Sequence, residues 1–179
     1  MVQRPPGSAF CRVIRTGRRS WWCPGQWWGE HTDQHHDTET LVNKNPRTAT
    51  VKTPAQNFTG DVWMNPLFDG DGTSRLVCGH VRFTPGARTN WHSHSNGQLL
   101  VCTDGVGLVG TRDGRAVLLH AGESVWTPAG EEHFHGGTAD QMMCHYAILD
   151  GSGEADATTW LEPVTDEQYA AAEAAASTN

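Results

Sequence analysis

Two histidines one residue apart, His92 and His94, stand just ahead of Gln98, and a fourth candidate, His133, follows the Pro128-Ala129-Gly130 turn. Alternate residues of a β-strand point to one side, so His92 and His94 share a face. Gln98 can rejoin them from the next strand after the Ser95-Asn96-Gly97 turn. Three imidazoles and one amide oxygen make a ligand set for a divalent ion. Imidazole suits Zn, Fe, Ni, Cu or Mn, and an oxygen donor with open positions tilts the choice toward Mn, Fe or Ni. Without an ion, the same side chains would turn lone pairs toward one another, which favours the metal reading.

Two more histidines bear on what such an ion would do. His135 lies two residues after His133 and so faces the same side. His145 sits in MMCHYAIL, where Met143, His145, Ala147 and Leu149 share a face; a lone strand histidine is commonly a core residue, but beside a metal the pair offers a general acid and base. Gln98 is neutral, so a four-ligand set leaves a bound ion its full +2 charge, suited to polarising oxygen or stabilising an anion rather than to activating dioxygen. His80 points outward if Gly79 and Val81 point in, and His120, before the Ala121-Gly122 turn, reads as structural.

The stretch from Gly86 has the form G-x5-H-x-H-x3-Q-x6-G, and the stretch from Gly122 the form G-x5-P-x-G-x2-H. These resemble the two cupin motifs, with Gln98 where the family more often carries Glu and Gly137 where it often carries Asn. The segments FTGDVWMNPLF, TPGARTNWHSHSNGQLLV, PAGEEHFHGG and WLEPVTDEQY further resemble small single-domain bacterial cupins related to manganese-dependent hydroxynitrile lyases and to cupins grouped with carboxymuconolactone decarboxylases.

That resemblance implies an all-β double-stranded β-helix, with one divalent metal, manganese first and Fe, Ni or Zn behind it, on His92, His94, Gln98 and His133. It further implies catalytic positions at His135 and His145 and substrate-lining positions at Gly79, Val81 and Leu149. Gly79 and Leu149 hold smaller or less polar side chains than the lyase pattern. The activity implied is lyase-type cleavage or formation of a C–C bond on a small molecule. A dioxygenase using Fe or Ni and a non-catalytic small-molecule-binding cupin are the alternatives. Cupins of this size assemble as homo-oligomers, dimers or tetramers.

The elements that would position these residues are legible from turns. Strands are expected at about 58–68, 75–83, 87–92, 98–103, 106–111, 116–120, 124–127, 133–135 and 142–149. Pro85-Gly86, Asp104-Gly105, Asp113-Gly114 and Ala121-Gly122 punctuate them. Many short strands with regular turns mean a sandwich or barrel. Near the end, Thr165 is an N-cap with Gln168 three residues on, which predicts a short helix from Asp166 into an alanine-rich stretch.

Residues 1–50 read differently from the cupin-like domain at 51–179. They carry +3 in a chain of formal net charge -7, and up to Gly29 they contain no acidic residue. Trp21-Trp22 and Trp27-Trp28 follow no helical or strand period, so the segment is expected to be a disordered extension, with His31, His35, His36 and Cys23 a polar tail rather than a metal cluster. The acidic balance argues against a nucleic-acid partner, and no apolar run reaches membrane-spanning length. Five cysteines without a CxxC pair argue against a disulfide framework and for a cytoplasmic protein.

Overall fold

The computed structural model describes residues 42–151 and 158–178; the features read in residues 1–41 lie outside the described residues. Twelve strands run in order: β1 Val51–Lys52, β2 Phe58–Thr59, β3 Val62–Asp69, β4 Leu76–Phe83, β5 Arg88–Thr89, β6 His92–His94, β7 Gln98–Thr111, β8 Ala116–His120, β9 Ser124–Thr127, β10 His133–Gly137, β11 Met143–Asp150 and β12 Thr158–Trp160. Among the described residues one helix, α1, spans Asp166–Ala176. All pairings are antiparallel, and they curl into a two-sheet barrel, the all-β double-stranded β-helix expected from the sequence.

The two sheets share β7. Its first half pairs with β9 and β11, its second half with β8 and β10. The composition of Asp104-Gly105 predicts a break into two strands at that point. Instead the chain bends there without stopping, because Gly105 takes φ 73 and its N–H is held by the Asp104 carboxylate at 2.9 Å. A Cβ at Gly105 would lie 1.9 Å from the Met142 carbonyl oxygen, so only glycine lets β11 approach this corner.

Two other expectations shift. The strand expected at about 58–68 is divided into β2 and β3, and Pro66 sits inside β3 where the pairing with β4 slips between Pro66 and Phe68, an irregularity that accommodates a residue with no N–H. Residues 42–50, grouped by sequence with the extension, have no regular structure but lie along β3. Thr48 Oγ1 donates to Pro66 O at 2.6 Å and Asn65 Nδ2 donates to Thr48 O at 3.1 Å.

Strand alternation sorts the side chains into two cores. Val81, Phe83, Leu100, Cys102, Val109 and Met143 fill the barrel interior. Trp91, Leu108, Phe134 and Tyr169 form a second cluster between the sheet and α1. The helix has the expected Thr165–Gln168 capping box. It is clamped by buried Arg88, which donates to Val164 O at 2.9 Å and pairs with Asp166 at 2.5 Å, while Tyr169 OH donates to Gly137 O. The helix lies against β8 and β7, and these side chains tie it to β5 and β10, the strands that carry or flank the inward histidines.

Candidate metal centre

Five histidines converge inside the barrel, all between 0 and 4% exposed: His92 and His94 from β6, His133 and His135 from β10, His145 from β11. The antiparallel register explains the meeting. His133 lies opposite His92, and His145 lies opposite Val81 on one side and Cys102 on the other. A bulge between Cys144 and His145 resets β11 so that His145 faces inward beside Cys102. Ring centroids are 4.2 Å apart for His92 and His133, 5.1 Å for His92 and His94, and 5.6 Å for His94 and His133.

Backbone carbonyls set two of the rings. His92 Nδ1 lies 3.0 Å from Asn90 O and His133 Nδ1 lies 2.9 Å from Glu131 O, each two residues earlier in the chain. A carbonyl only accepts, so both Nδ1 atoms carry the proton and both Nε2 atoms present a lone pair. Gln98, buried at the start of β7, places Oε1 3.1 Å from His133 Nε2. Two acceptors face each other at that distance, an arrangement a cation between them would relieve. The donor set therefore fits a divalent ion. His94 Nδ1 meets the Thr158 hydroxyl of β12 at 3.1 Å.

Protonation cannot relieve the crowding. Burial, together with the neighbouring His133, holds His92 well below the usual imidazole range, and burial lowers His133 as well. His135 is pushed well down by burial and by His145, and burial takes His145 down to about 4. All are neutral at pH 7. His135 Nδ1 and both ring nitrogens of His145 are buried without a hydrogen-bond partner, and the two rings meet edge-on at 4.9 Å. Phe83 lies 5.6 Å from each, stacked on His145.

Among the described histidines, cysteines and acidic residues, the group able to hold an ion is His92, His133 and His135, whose ligating atoms all lie within 4.8 Å of one another. The sequence resemblance makes His94 and Gln98 ligands and His135 catalytic; the geometry brings all of these residues to one chamber. Gly79 and Val81 face inward on β4 as expected, and Gly79 lies against Met64. Leu149 is half-buried on β11 opposite Gln98. His80 faces out, 3.3 Å from the Thr103 hydroxyl, and His120 is bound by Glu123 at the turn.

Two neighbours escaped the sequence reading. Trp160, opposite His92 in the β12–β6 pairing, places its ring 4.9 Å from the imidazole, and Thr158 reaches His94. Both are more than sixty residues from their partners, and β12 is only three residues long, so no local pattern signalled them.

Comparison with known proteins bears on the family and the fold. The family described as "Cupin domain" matches residues 79–149. The chain is 43% identical over 124 residues to an (R)-mandelonitrile lyase of Granulicella tundricola, covering 68% of this chain and 92% of that protein. A cupin-like protein of Thermotoga maritima superposes with a TM-score of 0.65 at 35% identity, over 73% of this chain and 96% of that one. The polyketide cyclase RemF of Streptomyces resistomycificus shares the fold at 18% identity, with a TM-score of 0.59 over 74% of this chain and 99% of that one. A barrel that gathers its histidines through both motif stretches, and the extent of these matches, place the chain in the cupin family.

Proposed function

We propose that the protein is a metal-dependent lyase that cleaves or forms the C–C bond of a small α-hydroxynitrile. The observation that carries this reading is the pair His135 and His145, fully buried and neutral, with ring nitrogens left unpartnered beside a ligand set of lone pairs. A buried donor or acceptor without a partner costs about 1–3 kcal/mol, a cost that substrate would offset by supplying the partner. The 43% identity to an (R)-mandelonitrile lyase supports the same reaction class.

In this reading His92, His94, Gln98 and His133 hold one divalent ion, manganese by preference given the oxygen donor. When bound, it supplies positive charge at the carbon or oxygen anion that the cleavage releases. His135 or His145 accepts the hydroxyl proton through its unpartnered nitrogen as the C–C bond breaks. The bonding pair leaves with cyanide, the oxygen becomes a carbonyl, and the imidazolium returns its proton to cyanide. Burial serves both halves of this step, because an imidazole kept neutral is free to accept, and an imidazolium disfavoured by its surroundings gives the proton back readily. Gly79, Val81 and Leu149 line the substrate from β4 and β11. Among the described residues the cysteines Cys78, Cys102 and Cys144 are free, which suits a reducing, cytoplasmic setting.

The test is turnover of mandelonitrile by manganese-loaded protein, which should give benzaldehyde and cyanide in equal amounts at the same rate with and without oxygen. Oxygen uptake matching product would overturn the lyase reading. His94→Ala should lose the ion, whereas His135→Ala should keep it and lose turnover; the reverse result would move His135 into the ligand set.

A further inference from the structure

The outer face of β3 and β4, turned away from the histidine chamber, gathers positive charge of a kind that the rest of the described molecule neutralises. Among the described lysines and arginines, Lys52, Arg75, Arg88, Arg112 and Arg115 each have a carboxylate oxygen within 2.8 Å. The others, Lys44, Arg47 and Arg82, pair with no described carboxylate, and all three line one cavity of about 350 Å³ shared with Asn65 and His80. Like charges drawn together without an acidic partner repel one another, in a chain whose formal net charge is -7.

The cavity is also organised. Arg82 Nη1 donates to Asn65 Oδ1 at 2.7 Å, and Asn65 Nδ2 donates to Thr48 O at 3.1 Å, which ties the stretch bearing Lys44 and Arg47 to the sheet. Arg82 Nη2 donates to His80 Nδ1 at 3.1 Å. A guanidinium only donates, so His80 is neutral with its proton on Nε2, 3.3 Å from the Thr103 hydroxyl. These bonds orient the Arg82 fork and spend only two of its five donors. They explain why Arg82 is held, but they leave Lys44 and Arg47 without a role.

We infer that this cavity binds a small dianionic oxyanion, a phosphate group or a pair of carboxylates on a molecule of metabolite size. Two guanidinium forks match oxyanion geometry two bonds at a time, and the Lys44 ammonium adds a point charge. The volume exceeds that of a bare phosphate, and the exposed side chain of Leu67 on the same wall meets the organic part of the ligand. On β4, His80 and Arg82 alternate with the buried residues Gly79, Val81 and Phe83, so the strand separates this site from the chamber. The anion site therefore stands or falls independently of the lyase reading.

Calorimetric titration of the full chain with inorganic phosphate and with succinate, at low ionic strength, tests the inference. At least one should bind saturably, and the tighter of the two tells whether the ligand carries phosphate or paired carboxylates. Arg47→Gln lies in a stretch without regular structure, so it tests the site without burdening the fold; it should weaken binding about 10-fold, as should Arg82→Gln. Arg115→Gln removes the same formal charge from an ion-paired position and should change nothing.

A second readout locates the ligand. Amide NMR shifts on titration should centre on Thr48, Asn65 and His80 and leave His135 unmoved. No saturable uptake of either anion, shifts centred on the chamber histidines, or equal weakening by Arg47→Gln and Arg115→Gln overturns the inference.

Discussion

Strand β10 is buried on both faces, and the two faces are built on opposite terms. Toward α1, Phe134 meets Trp91 at 5.0 Å and Tyr169 at 5.5 Å, an apolar packing so close that a Cβ at Gly110 would lie 2.5 Å from the Phe134 ring. Toward the barrel, His133 and His135 meet other imidazoles, and His135 Nδ1 is left unsatisfied. Close-packed apolar contact stabilises, whereas an unpartnered buried nitrogen costs. The helix side therefore supplies the stability that the chamber side lacks, an asymmetry in keeping with the function proposed for the chamber.

The sharpest way to probe the contrast is to remove one chamber histidine and read activity. Under the lyase reading, alanine at whichever of His135 and His145 accepts the proton should lower kcat by about two to four orders of magnitude without loss of manganese. On the helix side, Phe134→Ala should cost about 3–5 kcal/mol in denaturant unfolding, while the folded fraction keeps its metal. If Phe134→Ala were harmless, the division of labour across β10 would collapse.

Acid should find the chamber first. His145 has a folded value of about 4 against an ordinary 6.5, so the unfolded chain takes up its proton before the folded one does. Its contribution is fully present above pH 6.5 and is lost as pH falls toward 4, by about 3 kcal/mol, in metal-free protein. Denaturation curves at pH 7 and pH 4 would measure it, and His145→Leu should flatten the dependence. The smallest effect expected is at pH 7. There His145→Leu should stabilise metal-free protein by about 1 kcal/mol, because it replaces unpartnered nitrogens by methyl groups against Phe83 and Val81. Destabilisation by that variant would mean the chamber is not strained.

Much of this was readable from spacing. The His-x-His pair, the turn before Gln98 and the Pro-x-Gly turn before His133 fix local direction by strand alternation, and the capping box marks α1 by its own hydrogen bonds. What alternation cannot report is pairing over distance. Thr158 and Trp160 enter the site through register with β6, and His145 reaches its place through a bulge. Asp104-Gly105 had the composition of a turn, yet tertiary pairing on both sides of β7 carried the strand through it. Gly79, Val81 and Leu149 line up by alternation, but which molecule they face is not written in their spacing.

The shared strand β7 also sets an order of events during synthesis. A chain made from its N-terminus presents His92, His94, Gln98 and His133 before β11 exists to pair with β7 and before β12 can close on β6. Loop closures of that span are slow steps in folding. Once both are made, the five histidines are at most 4% exposed. Under the divalent-ion reading, the nascent barrel thus offers its nitrogens to its surroundings during a limited window, and which ion it captured would depend on what is free there at that moment as well as on the affinity of the finished site.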